Sequence, residues 1–374
     1  MTLKLLRELV ALPSVNPAFL PPGDPRAGEK NIGDFLAATA ARAGLDVAFE
    51  AVLPGRSNFL AVLPPKGRVR QRILLAPHLD TVNGADEQFR PRLAHDRLYG
   101  RGSCDTKGSV AAMLSALMTL ARSGRRPAQT EIVFAGLMDE EVGHAGAQAL
   151  VKAGWKADLA IIGEPTRLQV VTAHKGALWL ELRTHGKAAH GSCPELGRNA
   201  VHEMAKIVDA LETTYAAALK KSKAHPLLGR GTINVGSIRG GTQPNIVPAS
   251  CSATIDRRTL PGETLRGVTA EIQSMLRQRG FRATLAETQS LCCAPMETNP
   301  NLPLVRQFSR LARQTKPFGV TYFCDGAVLK EGGIPSLVFG PGDIAQAHTS
   351  DEWISLRSLD KATRLLCRFF EVLP

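Results

Sequence analysis

Ile73-Leu74-Leu75-Ala76-Pro77-His78-Leu79-Asp80-Thr81-Val82 is the stretch on which the reading of this chain turns. Its first half is a continuous apolar run without polar alternation, the pattern of a parallel strand covered on both faces. The run gives out where a histidine and an aspartate stand two residues apart. A rigid element that delivers imidazole and carboxylate to one spot suits a metal or catalytic site. A strand-end histidine that merely hydrogen-bonds locally is the other reading, and this stretch alone does not choose between them.

A chain of 374 residues exceeds one ordinary core and points to two domains. Apolar residues at 44% and charged residues at 21% allow a sizeable core in a soluble protein. The net charge of +12 permits binding to nucleic acid or an anionic surface. Its cations are scattered, however, with Arg68, Arg70 and Arg72 in one place, Arg125-Arg126 in another and Lys220-Lys221-Lys223 in a third. Three tyrosines and three tryptophans offer little for bases to stack on, and no nucleic-acid module is visible. The charge is therefore read as solubility and attraction for anionic substrates, with no nucleic-acid partner.

Seven cysteines, an odd number with no C-x-x-C pair, fit reduced thiols in a cytoplasm. Lys4, Arg7 and Glu8 break up the apolar region that a signal peptide needs. The longest uncharged run, Gly108 to Ala121, is too short to span a bilayer. The expectation is a cytoplasmic protein with no membrane partner.

Outward from the opening stretch, apolar runs at Glu131–Met138 and Leu159–Ile162 read as further strands. Helical patterns near 109–122 and 144–153 separate them, which is the spacing of βαβ units. Each of the three strands ends in polar groups: His78 and Asp80, then Asp139-Glu140-Glu141, then Gly163-Glu164-Pro165. Ligands in open α/β sheets bind at such ends. From about Leu178 the texture changes to strands mixed with two helices, the order of a ferredoxin-like unit. The predicted fold is α/β, a mixed and largely parallel sheet sandwiched by helices, with an inserted α+β, ferredoxin-like domain. Boundaries are placed at 1–177 and 291–374 for the first domain and 178–290 for the insert.

His78, Asp80, Asp105, Glu140, Glu141, Glu164 and His348 supply two imidazoles and several carboxylates. Such N and O donors suit zinc, manganese or cobalt in a catalytic site, and acids gathered at neighbouring strand ends repel without a cation. Neighbours in extended backbone point to opposite sides, so of Glu140 and Glu141 one can bind metal while the other moves a proton. A solvated acidic turn opening a helix is the plainer reading of that run. The loop Gly100-Arg101-Gly102 is too short a signal for a nucleotide site.

Five ordered motifs carry a resemblance over nearly the whole chain. They are Pro77-His78-Leu79-Asp80-Thr81-Val82, Tyr99-Gly100-Arg101-Gly102 with Asp105-Thr106-Lys107-Gly108, Asp139-Glu140-Glu141-Val142-Gly143, Gly163-Glu164-Pro165 and Ala345-Gln346-Ala347-His348. With them the chain resembles the dizinc (M20-type) aminoacylase and carboxypeptidase family, which includes acetylornithine deacetylase, succinyl-diaminopimelate desuccinylase and glutamate carboxypeptidase.

The resemblance implies two divalent metal ions, zinc first and cobalt or manganese as alternatives. His78 and Glu164 would hold one, Glu141 and His348 the other, with Asp105 bridging. Asp80 would orient His78, and Glu140 would act as general base toward a water between the metals. His190 would reach the active site of the opposite subunit of a homodimer and stabilise the oxyanion. Asn245 and Arg258 would bind substrate, the arginine fork suiting a carboxylate, although Arg257 beside it blurs that assignment. The implied reaction is hydrolysis of the amide of an N-acyl amino acid such as N-acetylornithine. Desuccinylase, glutamate carboxypeptidase or dipeptidase activity and a non-catalytic ligand-binding homologue stand as alternatives. Asp325 and Gly326 read as a substrate-proximal or plain loop and Cys104 as a site thiol or packing group. His95, His144, His174, His185, His202 and His225 read as structural or surface residues.

Overall fold

The computed structural model describes residues 1–287 and 292–374. The chain divides into two compact units, one of Met1–Thr172, Glu297–Gly319 and Cys324–Pro374, the other of Ala173–Met296 and Val320–Phe323. The boundary expected after residue 177 compares with an observed one after Thr172, and the one expected at 290/291 lies outside the described residues.

In the first unit the strands are β1 (Asp46–Leu53), β2 (Arg56–Leu63), β3 (Gln71–Ala76), β4 (Thr130–Gly136) and β5 (Leu159–Ile162). Spatial order is β1-β2-β4-β3-β5, followed by Ser336–Val338. The pairings β3 with β4, β3 with β5, and β5 with Ser336–Val338 are parallel, while β1 and β2 form an antiparallel edge. Ile73 and Leu75 face a core shared with Ile132, Phe134, Leu159 and Ile161. Leu74, Val133 and Ala160 point the other way and are fully buried too, so the sheet is covered on both faces, as the unbroken apolar run requires.

Helix Lys107–Ser123 is buried through most of its length and stops at Gly124, whose φ of 67° supplies the left-handed turn a helix end favours. The last helix, Leu356–Glu371, starts where the Ser355 hydroxyl accepts from Ser358 N and buries Leu359, Ala362, Leu366, Phe369 and Phe370 on one stripe. A small antiparallel ribbon joins Arg92–Ala94, Arg97–Tyr99 and Trp353–Ser355. Among the described residues no helix is long and apolar enough to cross a membrane.

The second unit contains β6 (Gly176–His185), β7 (Thr232–Gly240), β8 (Ser250–Thr259) and β9 (Ala283–Glu287), all antiparallel, in the order β7-β8-β6-β9. A helical run from Ala200 to Lys221, with a π turn at Ala210–Tyr215, and the helix Leu265–Gln278 complete a βαββαβ order. Leu180, Leu182, Met204, Ile207, Ile255 and Ile272 form its separate core.

Candidate metal centre

The sheet brings the three polar strand ends together because β4, β3 and β5 are neighbours and run the same way. Just past β3, Leu79 N donates to Leu137 O at 2.7 Å and Leu137 N to Pro77 O at 2.9 Å, so His78 is fixed by a continued ladder. Its Nδ1 lies 3.0 Å from the Asp80 main-chain oxygen and 3.5 Å from the Asp80 carboxylate. The Asp80 carboxylate instead accepts from Glu140 N at 3.0 Å, Glu141 N at 3.2 Å and Asn16 Nδ2 at 2.8 Å. One aspartate thus orients the imidazole and pins the acidic pair.

Glu140 and Glu141 stand in a turn, not in extended backbone as expected. Asp139 has a φ of 68°, and its carbonyl accepts from Gly143 N and His144 N, which folds the strand exit back on itself. The two side chains diverge all the same. Ligand atoms of His78, Glu140 and Glu164 form one group, all within 4.8 Å of one another, and those of His78, Asp105 and Glu141 form a second.

Asp105 splits its two oxygens between two imidazoles. Its Oδ1 lies 3.1 Å from His78 Nε2 and its Oδ2 3.4 Å from His348 Nε2. Glu141 Oε2 is 3.1 Å from the same His348 nitrogen, and Glu164 Oε1 is 3.8 Å from His78 Nε2. A bond from the Thr106 hydroxyl to Gly163 O ties the Asp105 loop to the exit of β5.

Burial pushes the carboxyls of Glu140 and Glu164 well above the ordinary carboxylate range, and that of Glu141 above it. Burial works against a charged His78, yet the bonds to Asp105 and Asp80 raise it well above an ordinary imidazole. His348, bonded to Asp105 and Glu141, is pushed up to about 10. Asp105 moves the other way: burial opposes its charge, and the two histidines overcome this to hold it well below the usual range. Glu141 Oε1 is buried and has no hydrogen-bond partner among the described residues. Crowded carboxylates, imidazole nitrogens at hand and an orphaned buried oxygen fit divalent cations bound through N and O donors.

Several residues that hold this cluster were not visible in the sequence. The buried Glu352 carboxylate accepts from Gly102 N at 2.9 Å, Cys104 N at 2.8 Å, Asp105 N at 3.0 Å and Arg101 Nη1 at 2.7 Å. Behind Asp80, Asn16 also donates to Asp139 at 2.9 Å, and Arg56 joins Asp139 at 3.1 Å while gripping Glu29 with two bonds of 2.9 and 2.5 Å. His144 is no surface residue, being buried with Nδ1 2.7 Å from the buried Asp325. Cys104 is buried, its Sγ 3.3 Å from Asp343 O.

In the second unit, His190 pairs with Ile246 in an antiparallel bridge, and Gly191 N donates to Asn245 O at 2.7 Å. The unit therefore joins Asn245 to His190. Arg258 lies near the other end of β8, eight residues beyond Ser250 (258 − 250), or about 26 Å at strand rise. Of the adjacent arginines, Arg257 is fully buried against Glu263 at 2.6 Å, whereas Arg258 is partly exposed, paired with Asp256 at 3.0 Å and stacked over Phe323. Of the two guanidinium groups, that of Arg258 is the more accessible.

Residues 74–372 match the model of peptidase family M20/M25/M40. The acetylornithine deacetylase of Myxococcus xanthus is 31% identical over 324 residues, covering 83% of this chain and 82% of that protein. The acetylornithine deacetylase of Pectobacterium carotovorum is 32% identical over 378 residues, covering 97% and 95%. The structure of the M20 family metallo-carboxypeptidase Sso-CP2 from Sulfolobus solfataricus superimposes with a TM-score of 0.80 at 21% identity, over 99% of this chain and 98% of that one. With its fold and its cluster of N and O donors, the chain belongs to peptidase family M20/M25/M40 and is a metal-dependent amidohydrolase.

Proposed function

We propose that this enzyme hydrolyses the amide bond of an N-acyl amino acid, with an N-acetyl amino acid such as N-acetylornithine as substrate and Glu140 as general base. The observation that carries the reading is the Asp105 carboxylate, whose oxygens are divided between His78 and His348. His78 and Glu164 would hold one metal, Glu141 and His348 the second, with Asp105 shared. Two divalent cations there, zinc in the first instance and cobalt or manganese as alternatives, supply Lewis acidity toward the scissile carbonyl and acidify water.

Glu140 takes the proton of the attacking water as its oxygen bonds to the acyl carbon. When the carbon–nitrogen bond breaks, the same carboxyl returns the proton to the departing amine. Asp80 keeps His78 and the backbone of Glu140 in place. His190 accepts a main-chain bond from Ser192 N on Nδ1 at 3.2 Å, which leaves the proton on Nε2 and supports its assignment as oxyanion donor. Asn245 and Arg258 are assigned to substrate, Arg258 to a carboxylate. The reading includes a cytoplasmic homodimer formed through the second unit.

The test is a panel of N-acetyl amino acids, N-succinyl amino acids and dipeptides, assayed with added zinc, cobalt or manganese alongside elemental analysis. Deacetylation with about two metals per chain is expected, and Glu140→Ala should keep its metal while losing roughly 10²-fold or more in turnover. A metal-free active enzyme, or near-normal turnover of Glu140→Ala with metal intact, refutes the mechanism. Preference for succinyl substrates or dipeptides reassigns the substrate class.

A further inference from the structure

One group of buried side chains faces Glu140 from outside the proposed ligand set. His144 stands in left-handed backbone, φ 55°, just ahead of the helix Ala145–Lys152. The turn that closes on the Asp139 carbonyl puts it there, with Gly143 N at 3.0 Å and His144 N at 2.7 Å. Its imidazole is 2% exposed, and Nδ1 lies 2.7 Å from Oδ1 of Asp325, itself 1% exposed. A carboxylate accepts and does not donate, so this bond fixes the proton on Nδ1.

The same Nδ1 lies 3.9 Å from Glu140 Oε1. Among the described residues the Glu140 carboxylate accepts no hydrogen bond, and His144 is the one basic side chain within 4.0 Å of it. The Nδ1 edge of the ring therefore faces two acids, the buried Asp325 and the partly buried Glu140. Like charges in a desolvated site repel strongly, and a donor held between them both separates and orients them.

We infer that His144, anchored by Asp325, is a positioning residue for Glu140, its polar Nδ1–H edge facing the carboxylate and keeping it toward the His78 and Glu164 side of the cluster. The inference rests on the reading of Glu140 as general base. Separations beyond hydrogen-bond length are common before substrate arrives and tighten in the reacting complex. His144 touches no reacting atom. Its effect is to keep the base aimed.

The experiment uses the full-length, metal-loaded chain and the substrate turned over fastest in the panel. His144→Ala should lower kcat about 10- to 100-fold, with KM changed by less than about threefold and metal content at the parental value. His144→Asn, whose amide N–H replaces the imidazole Nδ1–H, should recover activity to within about fivefold of the parent. In a Glu140→Ala background, His144→Ala should produce no further loss, because two residues acting through one group are not additive. The inference is overturned if His144→Ala keeps full turnover, if both His144 variants lose metal or circular dichroism alike, or if the losses add. If Glu140→Ala itself stays active, the base reading falls. If Glu140→Ala is inactive while His144→Ala is not, only this inference falls.

Discussion

His78 and His348 are the two imidazoles of one cluster, yet they are built by opposite means. The His78 side chain is 1% exposed, continues a central strand and bonds to its own neighbour Asp80. The His348 side chain is 53% exposed and sits in left-handed backbone, φ 62°, after a single turn of 3₁₀ helix. Its segment is held from the side. Arg101 Nη2 and Gln88 Nε2 both donate to Thr349 O at 3.1 Å, and Glu352, four residues on, clamps the loop that presents Asp105. In one half the sheet sets the geometry, and in the other a polar clamp sets it between two loops. Precision in the second half is therefore separable from the core, whereas in the first half it is not.

That contrast is most exposed to failure at Asp80. Asp80→Ala leaves Asn16, Glu140 N and Glu141 N without their common acceptor inside the protein. Breaking such a buried charged network costs about 3–5 kcal/mol, and both metals should be lost with it. Urea unfolding with elemental analysis measures the two together, and a loss under about 1 kcal/mol would show that the first half is not tied to the core.

Glu352→Gln should act on the other half with less force. The amide cannot accept at every position where the carboxylate now meets three main-chain N–H groups and Arg101. A destabilisation of about 1–3 kcal/mol is expected, together with roughly 10- to 100-fold weaker binding of one metal. Chelator competition should still find the tighter metal in place. Equal weakening of both metals would mean that the clamp serves the whole cluster and that the two halves are not independent.

The same contrast governs what was legible in the sequence. The half built on strands was readable: an unbroken apolar run followed by His78, and two further runs ending at Glu140 and Glu164, become neighbouring parallel strands. His348 and Asp105 were candidates by residue type alone and took their roles from resemblance, since neither stands on a periodic element. Glu352, Asn16, Arg56 and Glu29 lie far apart along the chain, and a single polar letter carries no period to betray a partner some 250 positions away. His144 was passed over for the same reason. Arg257 was within reach, because strand β8 buries Cys251, Ala253, Ile255 and Arg257 in strict alternation, so a period of two assigns it inward and Arg258 outward. The expectation of extended backbone at Glu140 failed because the reversal depends on Asp139 at positive φ, which ordinary residues seldom adopt.

Metal removal sharpens the comparison through pH. Glu140, Glu141 and Glu164 are raised by burial, and His78 and His348 are raised against it, His348 to about 10. A raised group binds its proton more tightly folded than unfolded, so all five contributions are largest at low pH and fall as pH climbs. Asp80 and Asp105 are lowered, and what they contribute is lost only in acid, below the ordinary aspartate range. The chelated protein should thus lose stability as pH climbs from about 4.5, the ordinary glutamate value, to about 10, where His348 gives up its proton, while cations, which displace those protons, restore it. The gain in Tm on adding metal should be larger at the higher pH. A gain that shrinks with pH would contradict the assignment of these groups as ligands.

The smallest effect on stability belongs to His348→Ala. Its ring is half exposed and contributes no core packing, and solvent screens the pair it makes with Asp105 and Glu141, so the unfolding free energy of the chelated protein should fall by about 1 kcal/mol or less. The functional effect is of another order, since Glu141 and one oxygen of Asp105 lose the nitrogen that completes their group. One metal per chain should remain, held at His78 and Glu164, and turnover should collapse while the fold persists. His78→Ala makes the control: removing a buried ring that continues the β3 ladder should cost about 2–4 kcal/mol as well as metal. If His348→Ala destabilised the chain as much as His78→Ala, the second half would have to be regarded as part of the core, and the separation between strand-built and clamp-built halves would not stand.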